Sequence, residues 1–252
     1  MTQAPESTVR IVPGQWRPHY QAEQIAWVGP PFADQEYVWL DFPEAIFCGG
    51  RLLYLSHLSA MFRAEFEDIP KVPWQVRPDG VAFERTLPNG LSFGGGLTRR
   101  GRTAVDMELH MANGTPEPLT DIMLQTCAFL RGVREFADYT NDNKFVHLVG
   151  GGWAPLSRAM EAKEDSGTYR IGWRSGPKAA DLPVIVAVSN TAPRLVAMTW
   201  GEHTYSLVGN PNHPCMHADP RFPDLAPGES ATIRGELVFF EGTLDEFEED
   251  MP

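Results

Sequence analysis

Apolar and polar positions alternate with a period of two over much of the chain. Val105, Met107, Leu109 and Met111 interleave with Asp106, Glu108 and His110, which puts the apolar side chains on one face of an extended strand and the polar ones on the other. Residues 81–87 and 91–93 flank Pro88-Asn89-Gly90, and Asn-Gly suits the positive φ angles of a type I′ hairpin turn. Aromatic and β-branched runs at 25–28 and 37–42, separated by Gly29-Pro30-Pro31, read as two strands joined by a turn. Between 45–47 and 52–55, Cys48-Gly49-Gly50 marks a tight turn or a bulge.

Residues 182–188 and 194–200 form the most apolar hairpin pattern, which predicts a pair in the middle of a sheet. Residues 119–130 read as another apolar strand, and 231–240 as the last core strand after the turn Pro227-Gly228-Glu229-Ser230. Segments with a 3.6-residue period are nearly absent. The acidic tail at 241–252 holds at most one short helix, and residues 1–14 read as a loose arm or an edge strand. With no internal repeat and no composition break, the expectation is all-β: one large antiparallel β-sandwich domain over 1–252, with few short helices.

Composition narrows the partners. Hydrophobic residues make up 42% of the 252 and charged ones 21%, which excludes a disordered chain. Asp and Glu outnumber Lys and Arg by 33 to 21, a net charge of −12, and no basic run with interleaved aromatics relieves it. Such a field disfavours nucleic acid and anionic membranes as partners. The first residues lack a basic region followed by an apolar one, and no run approaches the roughly 20 apolar residues of a membrane span, so a cytoplasmic location is expected. Cys48, Cys127 and Cys215 are odd in number and widely spaced, which signals neither a disulfide framework nor a cysteine zinc knuckle. Cys48 and Cys127 read as small core residues. The oligomeric state stays open.

Chemistry concentrates in residues 200–220, which hold His203, Tyr205, Asn210, His213, Cys215, His217 and Asp219. Pro211, Pro214 and Pro220 interrupt the stretch, which therefore reads mostly as loop. Histidine exchanges protons near neutral pH, and a neighbouring carboxylate or tyrosine sets its tautomer, so His217 with Asp219 and His203 with Tyr205 are the nearest acid–base pairs. His110, on the polar face of its strand, is a further catalytic candidate. His213, His217 and Asp219, with Cys215 as a soft addition, offer a donor set for a divalent metal. His57 stands beside apolar residues and reads as a core or edge histidine. Arg51, after the Gly pair, is a substrate-binding candidate as a carboxylate clamp. Seven tryptophans suit a sugar-handling site, with Trp153 and Trp173 in loop-like contexts as stacking platforms and Asn210 as a polar substrate contact. No phosphate loop, dinucleotide fingerprint or G-x-S-x-G elbow is present, so no organic cofactor is expected.

The segment Glu202-His-Thr-Tyr-Ser-Leu-Val-Gly resembles the Asn-His-Thr-Tyr-Phe-Asn-Leu segment of aldose 1-epimerases, whose fold is the galactose-mutarotase-like β supersandwich. The resemblance implies that His203 is the general acid that protonates the sugar ring oxygen. The family's catalytic Glu lies near its C-terminus, and Glu229, Glu236 and Glu241 are the candidates here. The segment departs from the family at Glu202, where the family has Asn, and it falls later in the chain.

These readings make the leading expectation an enzyme on a β supersandwich that acts on a sugar or small saccharide by His-based acid–base catalysis, epimerase-like (an isomerase) or lyase-like. The alternatives are a non-catalytic carbohydrate-binding or scaffolding sandwich, and a metal-dependent lyase or hydrolase using His213, His217 and Asp219.

Overall fold

A computed structural model of the chain describes residues 7–17, 20, 22–57, 59, 61–67 and 69–251. Its strands are β1 (Arg10–Pro13), β2 (Ile25–Gly29), β3 (Val38–Cys48), β4 (Arg51–Leu55), β5 (Gln75–Arg77), β6 (Gly80–Thr86), β7 (Leu91–Arg100), β8 (Ala104–Asn113) and β9 (Met123–Phe129). There follow β10 (Lys144–Leu148), β11 (Gly152–Pro155), β12 (Tyr169–Ile171), β13 (Lys178–Val188), β14 (Arg194–Thr199), β15 (Thr204–Asn210), β16 (Cys215–Pro220) and β17 (Ser230–Glu241). The α-helices among the described residues are α1 (Leu156–Ala159) and α2 (Leu244–Asp250).

The strands form an all-β sandwich. In the first sheet β1, β2, β3, β9, β16 and β15 pair in that order, all antiparallel, with β4 folded back on β3. β15 then meets β12 in a parallel pairing. The second sheet runs β14, β17, β8, β7, β6, β5. The long β13 joins the two, because its start pairs with β12 and its end with β14, while β10 follows its whole length and carries β11. The hairpin of β13 and β14 thus sits between sheets, as its unbroken apolar pattern requires.

Period-two alternation decides what each strand buries. On β8, Val105, Met107, Leu109 and Met111 are almost wholly buried while Asp106, Glu108 and His110 face outward. Aromatic contacts tie the layers together: Phe42 of β3 stacks on Trp200 at 5.9 Å, and Tyr54 of β4 meets Phe93 of β7 at 5.1 Å. Trp200 is fully buried, with its Nε1 donating to Thr126 Oγ1 at 3.1 Å. The turn Cys48-Gly49-Gly50-Arg51 has positive φ at both glycines, the two-residue loop that a right-twisted hairpin favours.

Two local expectations are corrected. The β6–β7 turn is not type I′: among the described residues only Asp121 is a non-glycine with positive φ, so Asn89 lies at negative φ and Gly90 alone at +96°. Pro88 fixes the preceding turn position, and Gly90 N closes on Leu87 O at 2.9 Å. Residues 200–220 are not mostly loop. They form the β15–β16 hairpin, with Pro211 and Pro214 in its turn and Pro220 at its end, where a missing N–H costs no ladder bond.

Of the N-terminal arm, residues 1–6 lie outside the described residues, Val9 is buried in the core and Arg10–Pro13 is an edge strand. In the acidic tail, α2 starts with a capping box between Thr243 and Glu246 and seats Phe247 on the outer side of β14. No described helix is long and apolar enough to cross a membrane.

Candidate functional site

The faces of β3, β9 and β16 turned away from the core carry the chemistry. Alternation sends Leu40, Ala128, Met216 and Ala218 into the core and Trp39, Asp41, Cys127, Phe129, Cys215, His217 and Asp219 to the opposite face. Register then aligns them: Asp41 is opposite Cys127, Cys127 opposite His217, and Phe129 opposite Cys215. A face of this kind ordinarily meets solvent. Here it is covered, so that Asp41, Cys127, Cys215, His217 and Asp219 are all buried.

Two segments make the cover. From one side comes Trp16, stacked on Phe129 at 4.3 Å, with the Arg17 guanidinium 4.1 Å over the Trp16 ring. Arg17 donates to Glu23 and to Asp41, each at 2.8 Å, and Glu23 also accepts the backbone N–H groups of Trp16 and Arg17. From the other side Trp173, itself 44% exposed, meets the His217 ring at 5.4 Å edge to face. It sits in a turn that Gly172 allows with φ +89° and Gly176 N closes on the Trp173 carbonyl.

Glu44 enters through a break in the ladder. Asp41 and Ala45 of β3 pair with Cys127 and Gln125 of β9, so three residues of β3 stand where one would fit, and the strand bulges. The Glu44 carbonyl accepts from Ser56 N at 2.7 Å, which places Ser56 and His57 beside it. Glu44 Oε1 lies 3.7 Å from His57 Nδ1, and Oε2 lies 3.9 Å from His217 Nδ1. Its carboxylate makes no hydrogen bond among the described residues. Glu44 and His57 side chains are 15% and 22% exposed, against 3% for His217, so they form the accessible edge of the cluster. Ser56 Oγ donates to Asp41 Oδ2 at 2.6 Å.

Burial and proximity push the protonation states apart. The thiol of Cys127 hydrogen-bonds to Cys215 and, with the His217 charge, holds the Cys215 thiol well below its ordinary value, while Cys127 itself is pushed well above. Burial opposes charge on His217, yet the Cys215 thiolate and Asp219, whose Oδ1 lies 3.5 Å from His217 Nδ1, raise the ring well above the usual range. Burial also raises Asp41, Glu44 and Asp219; Glu44 adds to the shift on Asp41. His57 goes the other way, lowered to about 4 by burial and then by the charges of Arg17 and His213. The hydrogen bond to Cys215 raises His213. A neutral imidazole and a charged one thus face the same carboxylate, the kind of divergence that separates an acid from a base.

Of the residues that the sequence singles out, Cys215, His217, Asp219 and Trp173 share this face, with His57 at its edge beside Glu44 and His213 against Phe129. The others lie elsewhere. His203 closes a 3-10 turn (Gly201–His203); its carbonyl accepts from Arg221 N, and its ring makes no hydrogen bond or ion pair among the described residues. The Tyr205 hydroxyl donates to the Arg174 carbonyl at 3.4 Å, with the guanidinium groups of Arg170 and Arg221 over its ring. His110 pairs with Glu84 on the second sheet, outside the cluster. Arg51 is taken by Glu65 at an exposed hairpin end. Trp153 donates to Glu248 of α2 at 2.9 Å. Asn210 holds its own hairpin turn, its Oδ1 accepting from Asn212 N and its Nδ2 2.9 Å from His213 Nε2. Glu229 caps a turn, while Glu236 and Glu241 pair with Arg100 and Arg194, all three on or beside β17 in the second sheet.

The metal set is corrected as well. His217 Nδ1 and Asp219 Oδ1 stand 3.5 Å apart, but His213 does not complete a three-donor group with them; among the described residues the groups whose ligand atoms all lie within 4.8 Å of one another are Cys127 with Cys215 and His217, and Asp41 with Glu44 and His57. Local sequence does not single out Glu44, Arg17 or Cys127 as site residues. The one available signal is Asp41, a lone carboxylate within the apolar run of residues 38–42.

The sequence matches no family model and no curated protein. Solved structures with a similar chain path include the Slr1438 protein from Synechocystis sp. PCC 6803, at 12% identity over 95% of this chain and 94% of that one, with a TM-score of 0.48. A putative aldose 1-epimerase from Escherichia coli K12 is similar at 9% identity over 92% and 99% (TM-score 0.45). A GalM/aldose epimerase homologue from C. elegans is similar at 12% identity over 89% and 94% (TM-score 0.41).

Proposed function

We propose that the chain is an enzyme that moves protons on a sugar or small saccharide, with Glu44 and His57 as the acid–base pair at the open edge of the cluster. The observation that carries this reading is the Glu44 carboxylate, free of hydrogen bonds among the described residues and standing between the rings of His57 and His217. His57, kept neutral at pH 7, accepts the proton of a substrate hydroxyl. Glu44, whose carboxyl is pushed upward, exchanges a proton with the substrate oxygen on its other side. His217, too deeply buried to touch substrate, faces Glu44 across 3.9 Å with Asp219 at the same ring nitrogen.

The saccharide class rests on the exposed Trp173 ring beside His217, a flat apolar surface of the kind a pyranose face stacks on, and on the likeness of residues 202–209 to aldose 1-epimerases. Proton exchange at an anomeric hydroxyl and a ring oxygen gives an epimerase-like isomerisation; a lyase-like outcome would need one group to take a proton from carbon while the other protonates an oxygen that leaves from the neighbouring carbon as the C=C bond forms. A cytoplasmic location and a single domain belong to the same proposal.

A panel of reducing sugars and short saccharides, followed by NMR exchange between anomers and by product analysis, tests it. The wild-type chain turns over at least one member, and Glu44→Gln lowers that rate by about 10²- to 10⁴-fold. Turnover unchanged in Glu44→Gln, or no member turned over by the wild type, overturns the reading.

A further inference from the structure

Behind Glu44 the cluster holds a second set of groups that proton transfer does not use. Cys127 on β9 lies directly opposite His217 on β16, and Cys215 precedes His217 by two residues on the same face. One ladder step therefore brings two thiols and an imidazole together, with their ligand atoms all within 4.8 Å. Cys215 Sγ is 3.4 Å from His217 Nε2. Zinc bonds of about 2.3 Å to sulfur and about 2.0 Å to nitrogen, at a tetrahedral angle, set those atoms about 3.5 Å apart, so this edge needs no rearrangement.

Two further observations point to a cation. The far side of the His217 ring, Nδ1, is 3.5 Å from Asp219 Oδ1 and 3.9 Å from Glu44 Oε2, the carboxylate backing that orients metal-bound histidines. Nearly complete burial also leaves His217 Nδ1 and Asp41 Oδ1 without hydrogen-bond partners, and Asp41 is opposite Cys127 in the β3–β9 ladder. The other donor group, Asp41 with Glu44 and His57, is less suited, because Arg17 already places a positive charge on Asp41 at 2.8 Å.

We propose that Cys127, Cys215 and His217 bind a thiophilic divalent cation of the zinc class, with the fourth coordination position filled from outside these three side chains. The cation ties β9 to β16 and fixes the His217 ring with Nδ1 toward Glu44. Neither Glu44 nor His57 is a ligand, so this site is tested separately from the acid–base reading, although a cation on His217 Nε2 takes the place of a proton there.

The test uses the full chain, reduced, stripped with chelator and carrying no histidine tag. Titration with Co²⁺ gives thiolate-to-cobalt charge-transfer absorption that saturates at one equivalent and is displaced by Zn²⁺. The band weakens in Cys127→Ser, disappears in the Cys127→Ser/Cys215→Ser double variant, and is unchanged in Cys48→Ser and in Glu44→Gln. X-ray absorption on the zinc-loaded wild type, which needs no variant, shows two sulfur neighbours and at least one imidazole nitrogen. The proposal is overturned by the absence of a thiolate band in the wild type, by a band that survives the double variant, or by a zinc shell without sulfur.

Discussion

Two strands of this protein each carry histidine among acidic residues, and they meet opposite fates. On β8, His110 pairs with Glu84, with side chains 35% and 52% exposed. On β16, His217 lies beside Asp219, with side chains 3% and 7% exposed. Water screens the first pair, which therefore contributes little. The second pair is covered by the segment around Trp16 and by Trp173, and there burial, a thiol and a second carboxylate move every group. A strand's alternation fixes the face on which a histidine sits; the cover over that face makes it chemistry.

Breaking the cover tests this contrast most strongly. Arg17→Met removes the cation from Asp41 and Glu23, leaving buried carboxylates unpaired, and lowers unfolding free energy in urea by about 3–5 kcal/mol. Loss of the exposed pair by Glu84→Gln stays below about 0.5 kcal/mol. If the two variants cost the same, the cover does not create the difference.

Acid sharpens it further. His57 titrates at about 4 in the folded chain against an ordinary value of 6.5. Between those values the unfolded chain holds the proton that the folded one lacks, so the His57 contribution to stability is full above pH 6.5 and is lost as pH drops through 4. The His57 share is on the order of 2 kcal/mol after discounting for its partial exposure. His57→Gln flattens that part of the pH–stability curve.

Smaller effects follow at the rim. Trp173→Ala raises KM for the saccharide substrate about fivefold, roughly 1 kcal/mol of stacking, with kcat little changed. His110→Ala changes stability by less than about 0.5 kcal/mol and leaves turnover intact.

Much of the fold was legible in the sequence because alternation is local. The buried row of β8, the β13–β14 hairpin and the glycine turn at 49–50 follow from neighbouring residues alone. The prolines of 200–220 misled, since spacing cannot tell a proline that breaks a strand from one that sits in its turn. The site was only half legible. His217 and Asp219 share a face by period two, but Cys127 looks like any small core residue until β9 is laid against β16. Glu44 reaches the cluster only through a bulge, and the identity of the covering segments depends on contacts between distant parts of the chain. His203 carries the family-like motif yet stands outside the cluster, because a motif records a local sequence and not its neighbours in space.

The most direct test places the covered and exposed faces side by side: kcat/KM of Glu44→Gln and of His110→Gln on the same saccharide, with both proteins shown to be folded. A fall of about a hundredfold or more for Glu44→Gln, with His110→Gln equal to wild type, is the expected result. Equal rates for Glu44→Gln and wild type, or a loss confined to His110→Gln, would contradict it and move the working site to the exposed face of β8.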